Sequence, residues 1–482
     1  MVKHKLRVGY VGLSLPAYFA EQLGYRERTI QGLEKLAAAW GFDLFPVAEP
    51  VQNEADALRA AQSLKDKSLD LLLIQNTSIS IGDQLLPLVE VAPRIGLWSL
   101  PDPSLDGPVQ LHSLVALNEH ASILKRYLRH RDIPFKWFYD HVDSEMFTRR
   151  FGITVRALTA VKNIERARIG WIGGVSPGFH NMMVDPRRLN ERLGLSVGEH
   201  EMAELVQRAE AQQASAVSAL ASDIRGAAAA VTVSSDVAFE RVTRVYMALK
   251  DMVAAHGYDA LAVQCWSKIQ EQYRIVPCMA YSWLGSEDGV AVSCEGDLQG
   301  AISMYLLNTL TGSAPSSTLL DLAALDPKTR SMMMFHCGVT PRHFANADGI
   351  KWVDHVLLGR NSGDAPYGVA GDQIFAPQPD TTITYLGDAG SRLLVLRASI
   401  IEHTLKGFDG TRGWFDRFEL NKAEIDPWDL INTLTVRGHE HHFAVGIGDV
   451  TDELMEFAAW KKLSLIERVP YADYLQLEGV NA

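Results

Sequence analysis

The stretch AVSCEGDLQGA, residues 291–301, is an apolar run that ends on two carboxylates, Glu295 and Asp297, just before an apolar helical pattern begins. In parallel α/β sheets ligands bind beyond the carboxyl ends of the strands, and Glu295 occupies such a position. Negative charge is also favoured at a helix N-terminus, so one of the two acids is expected merely to cap the helix. Asp297 is well placed for that task, which leaves Glu295 free for a functional one. The densest group of ligand-type side chains is RGHEHHFAVGIGD, with His439, Glu440, His441 and His442 in consecutive positions. If this segment is extended, side chains alternate, so His439 and His441 face one side and Glu440 and His442 the other. The apolar run FAVGIG that follows would anchor His442. Asp321, closing the apolar run of STLLDLAALDP, and His336, where MMMFHCGVTP turns, read alone as an ordinary helix cap and an ordinary loop histidine.

Two tempting motifs fail on chemistry. GVSPG (Gly174 to Gly178) fits G-x-S-x-G, but the residue after the serine must offer a backbone N–H to an oxyanion, and Pro177 has none. Neither G-x-G-x-x-G nor the Walker A phosphate loop occurs, which removes most support for dinucleotide or nucleotide-triphosphate chemistry.

The elements that must position these residues follow from periodicity. KLRVGYVGLS, DLFPV, LDLLLIQ and RIGLWSL read as strands, and TIQGLEKLAAAWG and NEADALRAAQSLKDK as helices between them, the first stopped by Gly41. Continuous apolar runs separated by helices predict a parallel sheet covered on both faces. The pattern restarts at ARIGWIGG, passes through an alanine-rich helical region, and reaches DALAVQCW and GVAVSCE, the latter followed by a helix ending at Gly312. After about residue 335 the texture becomes short β runs, DHVLLGR, TTITYLG, RLLVLRASI and HHFAVGIG, broken by Gly, Asp and Pro. The expected architecture is an N-terminal α/β domain (1–164), a middle α/β domain carrying the two acids (165–335) and a β-rich C-terminal domain (336–482).

Composition narrows the function classes. A formal charge of −12, from 46 basic and 58 acidic residues, leaves no broad basic surface for phosphates, so nucleic acid is not an expected partner. No stretch approaches the ~20 apolar residues of a membrane helix, and the start lacks the apolar core of a secretory signal. The four cysteines, Cys265, Cys278, Cys294 and Cys337, match no CxxC pattern. A cytoplasmic protein with free thiols is expected.

Taken together, GYRERTIQGLEKL, RIGLWSLPDP, ARIGWIGG, CEGDLQGAISMYLLNTLTG, FHCGVTP and HHFAVGIGD resemble the L-fucose isomerase and L-arabinose isomerase superfamily. The resemblance implies two α/β domains of Rossmann or flavodoxin character followed by a C-terminal antiparallel β-barrel-like domain, assembled as a homo-oligomer. It implies aldose–ketose isomerisation with a divalent metal, usually Mn²⁺; oxygen-rich ligation with one or two imidazoles suits Mn²⁺ or Mg²⁺, with another divalent metal left open. By position, Glu295 and Asp321 are similar to the family's metal-binding acids, His442 to its metal-binding histidine, and His336 to a further ligand of the arabinose branch that the fucose branch lacks. The same two acids are then the candidates for moving protons between C1 and C2 through an enediol while the cation steadies the developing oxyanion, with a hydride shift on the same residues as the other open route. Cys294 should point away from Glu295, because strand neighbours alternate. The substrate stays open among a pentose, a deoxyhexose and a sulfosugar such as sulfoquinovose. Two alternatives stand beside this reading: a metal-dependent hydrolase using the H-x-H of His439 and His441, and a non-catalytic sugar-binding protein built on the two α/β lobes.

Overall fold

The computed structural model describes residues 4–312, 317–358 and 368–476. Contacts divide the chain into two compact units, Val2–Lys162 and Asn163–Ala482. The stretches expected as middle and C-terminal domains both lie in the second.

The first unit is a five-stranded parallel sheet in the order Asp43–Pro46, Arg7–Leu13, Leu71–Asn76, Ile95–Ser99, Phe135–Tyr139. This 2-1-3-4-5 order is that of flavodoxin-like doubly wound folds. The strand LLLIQN is buried along its whole length, as a strand covered on both faces must be. The helices Tyr25–Trp40 and Glu54–Leu64 fall where the periodicity put them. Gly41 stops the first in the left-handed conformation, and Asn53 caps the second by accepting from the Asp56 N–H.

The second unit joins two layers. Its parallel sheet runs Ala291–Ser293, Ala260–Val263, Arg168–Ile172, Ser196–His200. The alanine-rich region resolves into two helices, Met202–Glu210 and Ala214–Gly226. Among the described residues the larger sheet has eleven strands. Six of them, Thr318–Asp326, Ser331–His336, Thr411–Leu420, Arg392–Ile401, Gln378–Gly387 and His442–Ile447, pair antiparallel in that cyclic order and close on themselves as a barrel. Closure removes the exposed strand edges that so many short β runs would otherwise present. Leu320, Met334, Ile383, Leu396, Phe415 and Val445 belong to the buried cluster of this sheet.

Two expectations are corrected here. Asp321 is not a helix cap and does not belong to the parallel sheet: it sits inside a barrel strand, Thr318–Asp326. The leucine spacing of STLLDLAALDP fits a helix as well as a strand, and pairing with Ser331–His336 and His442–Ile447 decides it. Of DHVLLGR only the first residue belongs to a strand, Lys351–Asp354, and the run's last two residues lie outside the described residues.

The first unit buries a histidine without charge. His120, on the helix Ser113–Ser122, is fully buried, and burial pushes its pKa down to about 4, partly opposed by the Ile81 backbone. The unfolded chain takes up this proton near pH 6.5 and the folded one only near 4. As pH falls through that window the unfolded state therefore binds more protons and stability is lost. The variant His120→Leu is expected to lose less stability than the parent between pH 6.5 and 4 in urea titrations; equal losses in both proteins would contradict this account.

Candidate active site

Glu295 follows the strand Ala291–Ser293 and stands at φ 60°, a left-handed conformation uncommon for a residue with a side chain, and here its surroundings enforce it. The enforcement is visible. The Ser176 N–H donates to the Glu295 carbonyl (2.8 Å), the Gly296 N–H to Val263 O (3.1 Å) and Trp171 Nε1 to Gly296 O (2.8 Å). Gly296 is itself at φ 71°, and a Cβ there would run into the Gly174 carbonyl, so the 173–178 loop and the 294–297 turn are pressed together through a glycine. This is the work of GVSPG: Ser176 is a buried buttress of the Glu295 turn.

Asp297 caps the helix Leu298–Thr311, accepting from the Gly300 N–H at 2.9 Å, as its position in sequence indicated. It does more than cap. Its carboxylate is fully buried, accepts the Tyr385 hydroxyl (2.9 and 3.0 Å), and accepts from His442 Nδ1 at 2.9 Å.

His442 opens the strand His442–Ile447, in direct register with Asp321 on the neighbouring barrel strand. Directly opposed residues on one face bring their side chains together. His442 Nε2 lies 3.7 Å from Asp321 Oδ1 and 3.6 Å from Glu295 Oε2, and both Nε2 and Asp321 Oδ1 are buried without a hydrogen bond among the described residues. Three sequence-predicted residues, Glu295, Asp321 and His442, thus gather around one imidazole nitrogen. Burial works against the charged form of His442, but the bond to Asp297 and the charges of Asp321 and Asp297, with that of Glu295, outweigh it and raise its pKa.

The other histidines are set differently. His441 also reaches this site, its Nε2 3.3 Å from Glu295 Oε2, so two consecutive histidines face one carboxylate. The expected alternation fails because residues 439–441 precede the regular strand. Asn181 Nδ2 donates to His441 Nδ1 (3.0 Å) and the Phe179 ring stacks on the imidazole, leaving Nε2–H to donate to Glu295. His336 comes close as well, its ring 5.6 Å from that of His442. Its Nδ1 accepts the Cys337 N–H (2.9 Å), so the proton of the neutral ring sits on the buried Nε2, the pattern of a donor rather than a ligand. Burial opposes a second proton on His336, while Cys337, Asp321 and Glu295 favour it and push the pKa up to about 10; in either form Nε2 carries a proton.

His439 turns away into the core between Tyr385 and Phe443, and burial pushes its pKa down to about 3. Glu440 is buried, accepting from the Asp388 N–H. The H-x-H pair therefore does not converge on an ion, and among the described residues His439 joins no ligand group. Cys294 points away from the acids as expected, its sulfur against Cys265 at 2.7 Å. The sequence reading missed Asp297 as the partner of His442, along with Tyr385, Asn181 and Phe179. Only Asp297 carried a signal, as the second acid of a pair needing only one cap.

No family model matches the chain. Curated relatives do. A sulfoquinovose isomerase of Priestia megaterium (strain ATCC 12872 / QMB1551) is 26% identical over 401 residues, 82% of this chain and 84% of that protein. Another from Alkalicoccus urumqiensis is 24% identical over 409 residues (83% and 86%), and one from Clostridium sp. (strain MSTE9) is 26% identical over 378 residues (76% and 79%). Matches of this extent indicate an enzyme, an isomerase of the intramolecular oxidoreductase class, and support a sugar isomerase. No described helix is long and apolar enough to cross a membrane.

The strained turn carries a direct consequence. Gly296→Ala adds a Cβ against the Gly174 carbonyl at a positive φ, costing about 1–3 kcal/mol and moving Glu295. The variant is expected to fold with a lowered Tm and to lose isomerase activity disproportionately. Unchanged kcat in a folded variant would show that the turn does not set the position of Glu295.

Proposed function

We infer that this chain is an aldose–ketose isomerase of a sulfosugar, sulfoquinovose, and that Glu295, Asp321 and His442 hold a divalent cation beside the reacting carbons. The observation that carries the cation is the buried, unpartnered Nε2 of His442, faced by two carboxylates while its Nδ1–H is bound by a third. A carboxylate that fixes the far nitrogen is the usual support of a metal-binding histidine. Two carboxylates and one imidazole suit Mn²⁺ or Mg²⁺ better than thiophilic metals. When bound, such an ion supplies Lewis-acid stabilisation for negative charge developing on the sugar's carbonyl and hydroxyl oxygens.

The chain's own groups account for the proton movements. Glu295 and Asp321 are the candidates to take a proton from the carbon beside the carbonyl and return one to its neighbour, work that typically contributes about 10²–10⁴-fold. His441 donates to Glu295 and holds its carboxylate, while Asn181 fixes the tautomer that lets it do so. His336 offers its Nε2–H to a substrate oxygen or to Asp321. Asp321 is 36% exposed, the open side of the site.

A sulfosugar also needs a cation for its permanent anion, and guanidinium groups serve oxyanions well. Arg188, Arg392 and Arg437 line one pocket with Asn181, the partner of His441. Of the carboxylates lining that pocket, Asp185 is taken by Arg187, Asp388 accepts from Ser391 and Glu440 accepts a backbone N–H. Arg188 is exposed. The relatives' name favours sulfoquinovose over the unsulfonated pentoses and deoxyhexoses, and in this mixed-charge pocket the exposed Arg188 is the candidate cation for the sulfonate.

The test is conversion of sulfoquinovose to its ketose, followed by NMR, on chelator-treated protein with and without Mn²⁺. Activity is expected to vanish on chelation and return with Mn²⁺. Glu295→Gln and Asp321→Asn should lower kcat by about 10²–10⁴-fold, and Asp297→Asn should weaken Mn²⁺ binding by about 10–100-fold. Full activity after exhaustive chelation would remove the cation. Turnover of other aldoses but not sulfoquinovose would remove the substrate.

A further inference from the structure

Three residues far apart in sequence, Cys278, Cys337 and His355, bring one sulfur or nitrogen atom each to within 4.8 Å of one another, beside the site but outside its machinery. Cys278 is fully buried, whereas Cys337 is the one cysteine of the chain with partial exposure. The Cys337 sulfur also lies 3.4 Å from His336 Nδ1.

Such a triad has two readings, a thiophilic metal site or an oxidisable dithiol, and His355 decides between them. Its Nδ1 accepts two backbone N–H groups, from Leu357 (3.1 Å) and Leu358 (2.9 Å). The neutral ring must then carry its proton on Nε2, the buried atom without a hydrogen bond among the described residues. A nitrogen bearing a proton has no lone pair for a metal, but it can donate to a sulfur anion. A metal would have to strip that proton while Nδ1 stays occupied as an acceptor, leaving an imidazolate. The arrangement suits a sulfur that becomes negative.

We propose that Cys337 is a site of reversible oxidation by hydroperoxides, with Cys278 as its resolving thiol. In the first step the Cys337 sulfur attacks an oxygen of ROOH; the O–O bond breaks, ROH leaves with the thiol proton, and Cys337 becomes a sulfenic acid. In the second, the Cys278 sulfur attacks that sulfur; the S–O bond breaks, water leaves with the Cys278 proton, and a disulfide forms. The sum is two thiols and one hydroperoxide giving one disulfide, one ROH and one water. Dithiothreitol reverses it.

The test uses the whole chain and hydrogen peroxide. After brief exposure, denaturation and alkylation, peptide mass spectrometry is expected to find a Cys278–Cys337 crosslink that dithiothreitol removes, with two of the four thiols lost. Cys278→Ala should leave Cys337 trappable by dimedone as a sulfenic acid. The wild-type map needs no variant to fold. Cys337 still fully alkylatable after peroxide, a crosslink joining Cys265 and Cys294 instead, or a zinc ion co-purifying with the protein and shielding Cys278 and Cys337 would each overturn the proposal.

Discussion

The site depends on one buried hydrogen bond, from His442 Nδ1 to Asp297. A carboxylate with no exposure is costly unless its oxygens are satisfied, and here no guanidinium or ammonium group is bonded to it among the described residues. The Gly300 N–H, the Tyr385 hydroxyl and the His442 imidazole satisfy it instead. These donors come from a helix start, from the barrel strand Gln378–Gly387 and from the barrel strand His442–Ile447. One acid therefore locks two layers of the second unit to each other, and the ring it grips is turned so that its other nitrogen faces Glu295 and Asp321.

The same reasoning sorts the three histidines by which nitrogen is already occupied. His442 donates its Nδ1–H to Asp297, so the neutral ring keeps its lone pair on Nε2. His441 and His336 receive N–H groups on Nδ1, from Asn181 and Cys337, so their Nε2 atoms carry protons to offer. Three imidazoles crowded around two carboxylates thus divide into one acceptor and two donors. That division gives His336 a place at the site as a donor.

How much of this was legible follows from the range of each interaction. Strand, helix and cap are local, so the doubly wound first unit, the free acid Glu295 and the cap Asp297 could be read directly. The pairing of Asp321 with His442 is a matter of register between strands distant in sequence, and no local pattern encodes it; without the resemblance, Asp321 looked like a cap. The period-two rule placed His441 and His442 on opposite sides because it assumed a strand that begins one residue too late for His441. His439 and Glu440 looked like ligands by type, but burial in the core suppresses the charge of the first, and the second is buried at a pocket wall with Oε1 accepting a backbone N–H. The meeting of Cys278, Cys337 and His355 left no trace in spacing at all.

The placement of the acids on two different kinds of sheet has a mechanical meaning. A parallel sheet delivers a residue past its carboxyl edge on a turn, and turns are soft unless something presses on them. A closed barrel delivers residues from within its strands, where cross-strand partners hold both neighbours. Glu295 needs the first arrangement to reach outward, and it regains rigidity from the contact of Gly296 with Gly174 and the bond from Ser176. Asp321 and His442 need only their register. Reacting groups must be held within fractions of an ångström for orientation to lower a barrier. The strained φ at Glu295 is then the cost of bringing a flexible edge to the tolerance the barrel supplies by construction.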